Sequence, residues 1–154
     1  MNGRMYSAPF AASVTNAQDF WEINVPSTAV VILHEISLGQ ITDVGDTNEE
    51  ILDIIFKRNN TTSGSGGSTV TPTQMFASAA FGGTVEINNT TKATGGTALT
   101  LRRETWNIRT QFLWLPVPED RIVLPPSARF NVELVTAPGS TISIRGNCVF
   151  EAVS

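Results

Sequence analysis

The sequence predicts an all-β protein, an antiparallel two-sheet β-sandwich of jelly-roll-like form. Three observations carry that expectation. Hydrophobic residues make up 41% of the 154-residue chain but charged residues only 16%, against about a quarter in ordinary soluble domains. The surface must therefore be built from Thr, Ser, Asn and Gly, which favour strands and turns. Short β-branched and aromatic runs alternate with turn signals along the chain. None of these runs is decisively helical, and about eight short strands separated by turns read as a sandwich or barrel.

Taken in order, the first residues, MNGRMYSAPFAA, read as an N-terminal arm over residues 1–15, with a single domain over 16–154. QDFWEINV (18–25) and VPSTAVVILHEISLGQI (25–41) are strand candidates, the second rich in β-branched residues after Pro26. TNEEILDIIFKR (47–58) is ambiguous. Thr47 and Glu50 have the spacing of a helix capping box, while Leu52, Ile54 and Phe56 alternate with Asp53, Ile55 and Lys57. Its three isoleucines and short length tip it to a strand. ALTLRRETWNIRTQFLWLPVP (98–118) is one long strand or two, and RIVLPP (121–126) is a short run closed by prolines. RFNVELV (129–135) and TISIRGNCVFEAV (141–153) both alternate, and the APGS turn between them suggests a terminal β-hairpin. The expected core contains Leu33, Ile54, Phe130, Val132, Leu134, Ile142, Ile144, Cys148 and Phe150.

KRNNTTSGSGGSTVTP (57–72) has the composition of a flexible linker, yet residues 1–56 are too few for a comfortable domain of their own. It also has an echo. NNTTSGSGGSTVT (59–71) recurs as NNTTKATGGTALT (88–100). Either this is convergent low complexity, or the two are equivalent loops lying side by side at one end of a sandwich. The stretch therefore reads as a long inter-strand loop.

Net charge is −4. Residues 1–56 hold eight acids and one base, and residues 57–154 hold six acids and nine bases. This balance argues against a nucleic-acid face. Opposite charge on the two parts could steer head-to-tail packing of copies, or folding could simply mix them. Cys148 is the only cysteine and His34 the only histidine, so no disulfide, Cys/His metal cluster or Ser-His-Asp site is expected within the chain. His34 should pack in a strand or make one hydrogen bond. The glycine-rich stretch lacks the Gly-Lys-Ser/Thr of a phosphate loop and runs into Pro72. DVGDTNEE (43–50) lacks the EF-hand spacing and reads as a solvated acidic turn. Glu104, Glu119 and Asp120 form no marked catalytic pair. Trp106, Ile108, Phe112 and Trp114 share one parity and read as core, with a stacking platform or subunit interface as the alternatives. No membrane span is evident. No catalytic, cofactor-binding or metal residues are assigned, and no cofactor is expected. The candidate contact residues lie on the arm and the two echoing loops: Arg4, Tyr6, Phe10, Asn59, Asn60, Thr61, Thr62, Asn88 and Asn89.

The arm MNGRMYSAPFAA, the VVILHEISLGQ strand, the KRNNTTSGSGGSTVTP loop, its NNTTKATGGT echo and the stretch EDRIVLPPSARFNVEL together resemble the small jelly-roll proteins of tailed bacteriophages and prophages. That resemblance implies a structural protein of the virion, made in the host cytoplasm. The role it implies first is a capsid decoration, or cement, protein that binds the outside of the shell as a homotrimer against the major capsid protein. No residue-level role carries over. The alternative is a carbohydrate- or receptor-binding jelly-roll module of a tail or head fibre. A cupin-type enzyme is disfavoured because His34 stands alone.

Overall fold

A computed structural model describes residues 3–41 and 49–154. Two antiparallel sheets pack face to face. Sheet I runs β10 (Val123–Leu124), β3 (Val30–Gln40), β12 (Ile142–Val153), β1 (Arg4–Val14), β6 (Thr73–Gln74), with β9 (Phe112–Trp114) also on the edge of β3. Sheet II runs β5 (Ser68–Val70), β7 (Thr84–Asn89), β2 (Gln18–Asn24), β11 (Arg129–Leu134), β4 (Ile51–Arg58), β8 (Leu99–Asn107). This order is compatible with a jelly-roll winding. A short 3-10 turn spans Pro118–Asp120, and no helix among the described residues is long and apolar enough to cross a membrane.

The expected arm is a strand. β1 pairs with β12 from Arg4↔Ala152 to Val14↔Ile142. Tyr6, Ala8, Phe10 and Val14 point into the core while Ser7, Pro9, Ala11 and Ser13 point away. The alternation was present in MYSAPFAASV, but the small residues and Pro9 masked it. Proline cannot donate to a ladder. Here β6 pairs only with Tyr6 and Ser7, so the far side of β1 at Pro9 has no strand to satisfy. Tyr6 and Phe10, expected to reach a partner, are each 1% exposed.

The expected terminal hairpin is also corrected. β11 lies in sheet II between β2 and β4, and β12 lies in sheet I between β3 and β1. The APGS turn therefore carries the chain across the sandwich. Both strands bury an apolar face, and two such faces are satisfied by meeting across the core as readily as by pairing in one sheet. The long segment 98–118 divides the same way: β8 edges sheet II, and β9 edges sheet I.

The ambiguous segment forms strand β4, with Leu52, Ile54 and Phe56 inward. Thr47 and most of the acidic turn lie outside the described residues. All nine expected core residues have no exposed surface. The core is aromatic at several levels: Phe10 with Phe20 and Trp21, Phe56 with Phe112, Trp114 and Phe130, and Tyr6 with Phe81 and Phe150. Gly146 is required by this packing, because a side chain there would press on the Ser37 carbonyl, Leu38 and the Trp21 ring.

Three bulges interrupt the described ladders; one leaves Leu101 extra on β8 against β4, and the other two re-aim side chains on their strands. Against β12, Val149 pairs with Glu35 and Phe150 with Leu33, leaving His34 as the extra residue of β3. Against β11, Val132 pairs with Trp21 and Glu133 with Asp19, leaving Phe20 extra on β2. The bulge on β2 lets Phe20 and Trp21 both enter the core and turns Asp19 and Glu22 to the opposite face.

Candidate functional site

The outer face of sheet II is a buried charged layer roofed by the two echoing loops. The chain leaves β4 at one end of the sheet, crosses β11, β2 and β7, and enters β5. It then leaves β7 at the other end and crosses back to β8. The crossings run antiparallel and bond to each other. Thr62 and Thr94 exchange backbone hydrogen bonds at 2.9 and 3.1 Å, and Ser65 and Thr91 do so at 2.9 and 3.0 Å. Under the sequence echo Thr62 corresponds to Thr91 and Ser65 to Thr94, so the two bridges are images of each other about a local two-fold. Asn59 and Asn88 are equivalent, and both adopt left-handed backbone, φ 74° and 59°. Gly66 and Gly95 are equivalent and also left-handed, at 85° and 75°. A side chain on Gly66 would strike Thr90, and one on Gly95 would strike Thr61, the equivalent threonine. The repeat NNTTxxxGG thus encodes one loop twice.

Equivalent loop positions hold the layer beneath. The Gly64 N–H donates to Glu22 Oε2 at 2.9 Å, and the Ala93 N–H donates to Asp19 Oδ2 at 2.7 Å. Ser63 Oγ donates to Glu22 Oε1 at 2.7 Å, and Lys92, its counterpart, reaches Glu133 Oε1 at 2.7 Å and the Val135 carbonyl at 3.0 Å. Lys57 Nζ is in contact with Glu133 Oε2 and lies 3.5 Å from the Ala93 carbonyl. Arg129 Nε sits 2.9 Å from Glu22 Oε1. Asn131 Nδ2 donates to Asp19 Oδ2 at 3.1 Å. Asp19, Glu22 and Asn131 have no exposed surface, Glu133 is 6% exposed and Lys57 9%. Burial pushes the Asp19 carboxyl up to about 7, against the opposing pull of the Ala93 N–H and the Lys57 charge. The cause is desolvation of a carboxylate under a protein roof.

The expected contact residues are accordingly dispersed. Asn60 and Asn89 are buried supports: Asn60 Nδ2 donates to the Gly95 carbonyl at 3.2 Å, and Asn89 Nδ2 to Glu86 Oε2 at 2.9 Å. Asn88 Oδ1 accepts from Gln18 Nε2 at 2.6 Å. Asn59, Thr61 and Thr62 are exposed on the roof, and Arg4 is exposed at the start of β1 on the other sheet. Asn59 and Thr61 also rim a cleft of about 410 Å³ with Asn24, Ser127 and Arg129. The charged layer was missed because Asp19, Glu22, Asn131 and Glu133 look like the solvent-facing half of alternating strands. The one available signal was the repeat itself.

Elsewhere, Trp21, Trp106 and Trp114 are all buried, as are Ile108 and Phe112, which leaves the core reading of that parity and removes the stacking platform. Trp106 Nε1 donates to the Thr110 carbonyl at 2.7 Å. His34 Nε2 pairs with Glu151 Oε2 at 3.1 Å. Cys148 is buried, and its thiol is pushed up to about 12 by that burial and then by Glu35. The open side of the sandwich, where β8 and β9 form the two sheet edges, is different in character. Leu113, Leu115 and Val117 stand 53%, 66% and 58% exposed there. With Arg102, Glu104 and Asp120 they line a cleft of about 340 Å³ whose floor includes Phe112 and Trp114. Compared with known proteins, the chain matches no family model, no curated protein and no solved structure.

Proposed function

We propose that the chain is a structural protein of a phage particle, a decoration protein that associates with copies of itself, as a trimer, and attaches to the outside of the capsid shell. The observation that carries the assembly part is the bare apolar run Leu113, Leu115 and Val117 on the open side of the sandwich. Large apolar side chains clustered in the open mark association surfaces. The cleft beside them is lined by Asp120 and by Arg102, which is paired with Glu104 at 2.7 Å, so charged groups of both signs rim the apolar run where a neighbouring copy would cover it. The virion part rests on the family resemblance and on the physics of multivalent attachment, in which several weak contacts act together through effective concentration. Buried tryptophans favour this reading over a carbohydrate-binding module, which would present them for stacking.

The test has two arms. Light scattering across a range of concentrations is expected to give a trimer that Leu115→Asp reduces to monomer with its β-sheet spectrum intact. A monomer at every concentration would sink the assembly claim. Particles purified with and without the protein should differ in resistance to heat. Equal resistance, with no protein on the particle surface, would sink the decoration role even if the trimer stands.

A further inference from the structure

The contact between Lys57 and Glu133 has the chemical surroundings of a bond as well as of an ion pair. The two residues stand on neighbouring strands. Lys57 of β4 is directly opposite Asn131 of β11, and Glu133 is the next residue on that face. Both side chains lie beneath the second loop, at 11% and 8% exposure. A lysine ammonium carries three N–H donors. Among the described residues its partners are Glu133 Oε2 and, at 3.5 Å, the Ala93 carbonyl. Glu133 Oε1 is held separately by Lys92 Nζ at 2.7 Å, itself fixed on the Val135 carbonyl at 3.0 Å. Such a pair is poorly served as two ions, because desolvating both charges costs several kcal/mol per ion and is only partly returned.

We propose that Lys57 and Glu133 condense into an intramolecular side-chain amide that cross-links β4 to β11 beneath the paired loops. In the dry layer a proton passes from the Lys57 ammonium to Glu133 Oε2, giving a neutral amine against a neutral acid. The Nζ lone pair then forms a bond to Glu133 Cδ, and the carbonyl electron pair moves onto Oε1, where the Lys92 ammonium meets the developing charge. The Cδ–Oε2 bond breaks, the departing hydroxyl takes a proton from Nζ, and one water leaves as the carbonyl re-forms at Oε1. No oxidant or cofactor enters, and the products are one amide and one water. The product suits the site. Its N–H faces the Ala93 carbonyl, its C=O keeps the Lys92 donor, and two buried charges are gone. Holding the reacting groups in contact supplies the entropic part of the barrier. The cross-link would form in the free chain, whether or not a virion is its destination.

The test is the intact mass of the full chain under denaturing conditions, followed by peptide mapping. The expected result is a mass one water below that of the sequence, and a proteolytic fragment joining the Lys57 peptide to the Glu133 peptide. Lys57→Met and Lys57→Arg are expected to restore the full sequence mass. Glu133→Gln can react by releasing ammonia in place of water, and should then reach the same final mass as the cross-linked parent. A folded parent that keeps its full sequence mass after prolonged incubation overturns the proposal. A water loss that survives Lys57→Arg overturns it equally, since the loss would then lie elsewhere.

Discussion

Asp19 shows how one residue's place in the fold sets its chemistry. Its folded carboxyl keeps a proton up to about 7, whereas the ordinary value is 3.8. Between those values the folded state binds more protons than the unfolded state, so stability falls as pH rises through the window and is level above it. Asp19→Asn keeps an oxygen acceptor for the Ala93 and Asn131 N–H groups without a charge to bury. The variant is expected to lose the fall, whose steepest slope is about 1.4 kcal/mol per pH unit. Urea midpoints measured across the window, for parent and variant, check this. Phe130 is a simpler case. It has no exposed surface and packs edge-on against Phe56, so Phe130→Ala is expected to cost about 3–5 kcal/mol in unfolding free energy. His34 makes one hydrogen bond at a bulge, and Glu151 keeps the Gly3 N–H at 2.9 Å without it. His34→Gln should therefore change stability by no more than about 1 kcal/mol.

At the scale of elements, the glycine-rich loop is a roof. A flexible spacer of this composition would accept any Gly/Ser sequence, since loop closure depends only weakly on length and order. Scrambling 61–69 would therefore leave the free protein's thermal unfolding nearly unchanged if the segment were a spacer or a purely external contact loop. The structure gives the opposite expectation. Scrambling removes Ser63 and Gly64 from above Glu22 and misplaces the left-handed Gly66. A side chain at Gly66 is strained by its φ of 85° and by Thr90 as well, so Gly66→Ala is expected to cost about 1–3 kcal/mol. Gly95→Ala should cost a similar amount because the loops are images of each other. If calorimetry finds both substitutions neutral, the roof is not holding the layer down.

For the whole molecule, the two sheets share one core to which every long strand contributes. One cooperative unfolding transition is therefore expected, without a separable half on either side of residues 59–72. Cys148 offers the probe. It lies on β12 in the middle of sheet I with no exposed surface, and its thiol is held far from ionisation. Alkylation should be slow in the native protein and should track the global unfolding free energy measured by denaturant. Fast labelling under native conditions would mean that sheet I opens independently of sheet II. The fold brings the two charge blocks together, because Glu22 meets Arg129 and Asp53 meets Arg103 from the other part of the chain.

The sequence by itself determined the β-sandwich class, the strand choice at 51–58 and the nine core residues, because alternation and β-branching are local and each strand displays its own buried face. It also carried the repeat NNTT…GG, whose first asparagine and first glycine take the same left-handed backbone in both copies. Tertiary structure alone decided which strands pair. It placed MYSAPFAASV beside β12, and it sent RFNVELV and TISIRGNCVFEAV to opposite sheets. Pairing depends on what each apolar face meets across the core, and no local signal records that. It also decided that Asp19, Glu22, Asn131 and Glu133 are buried. A polar residue on a strand reads as solvent-facing until another part of the chain is known to lie over it, and here the covering loops come from residues 59–67 and 90–98.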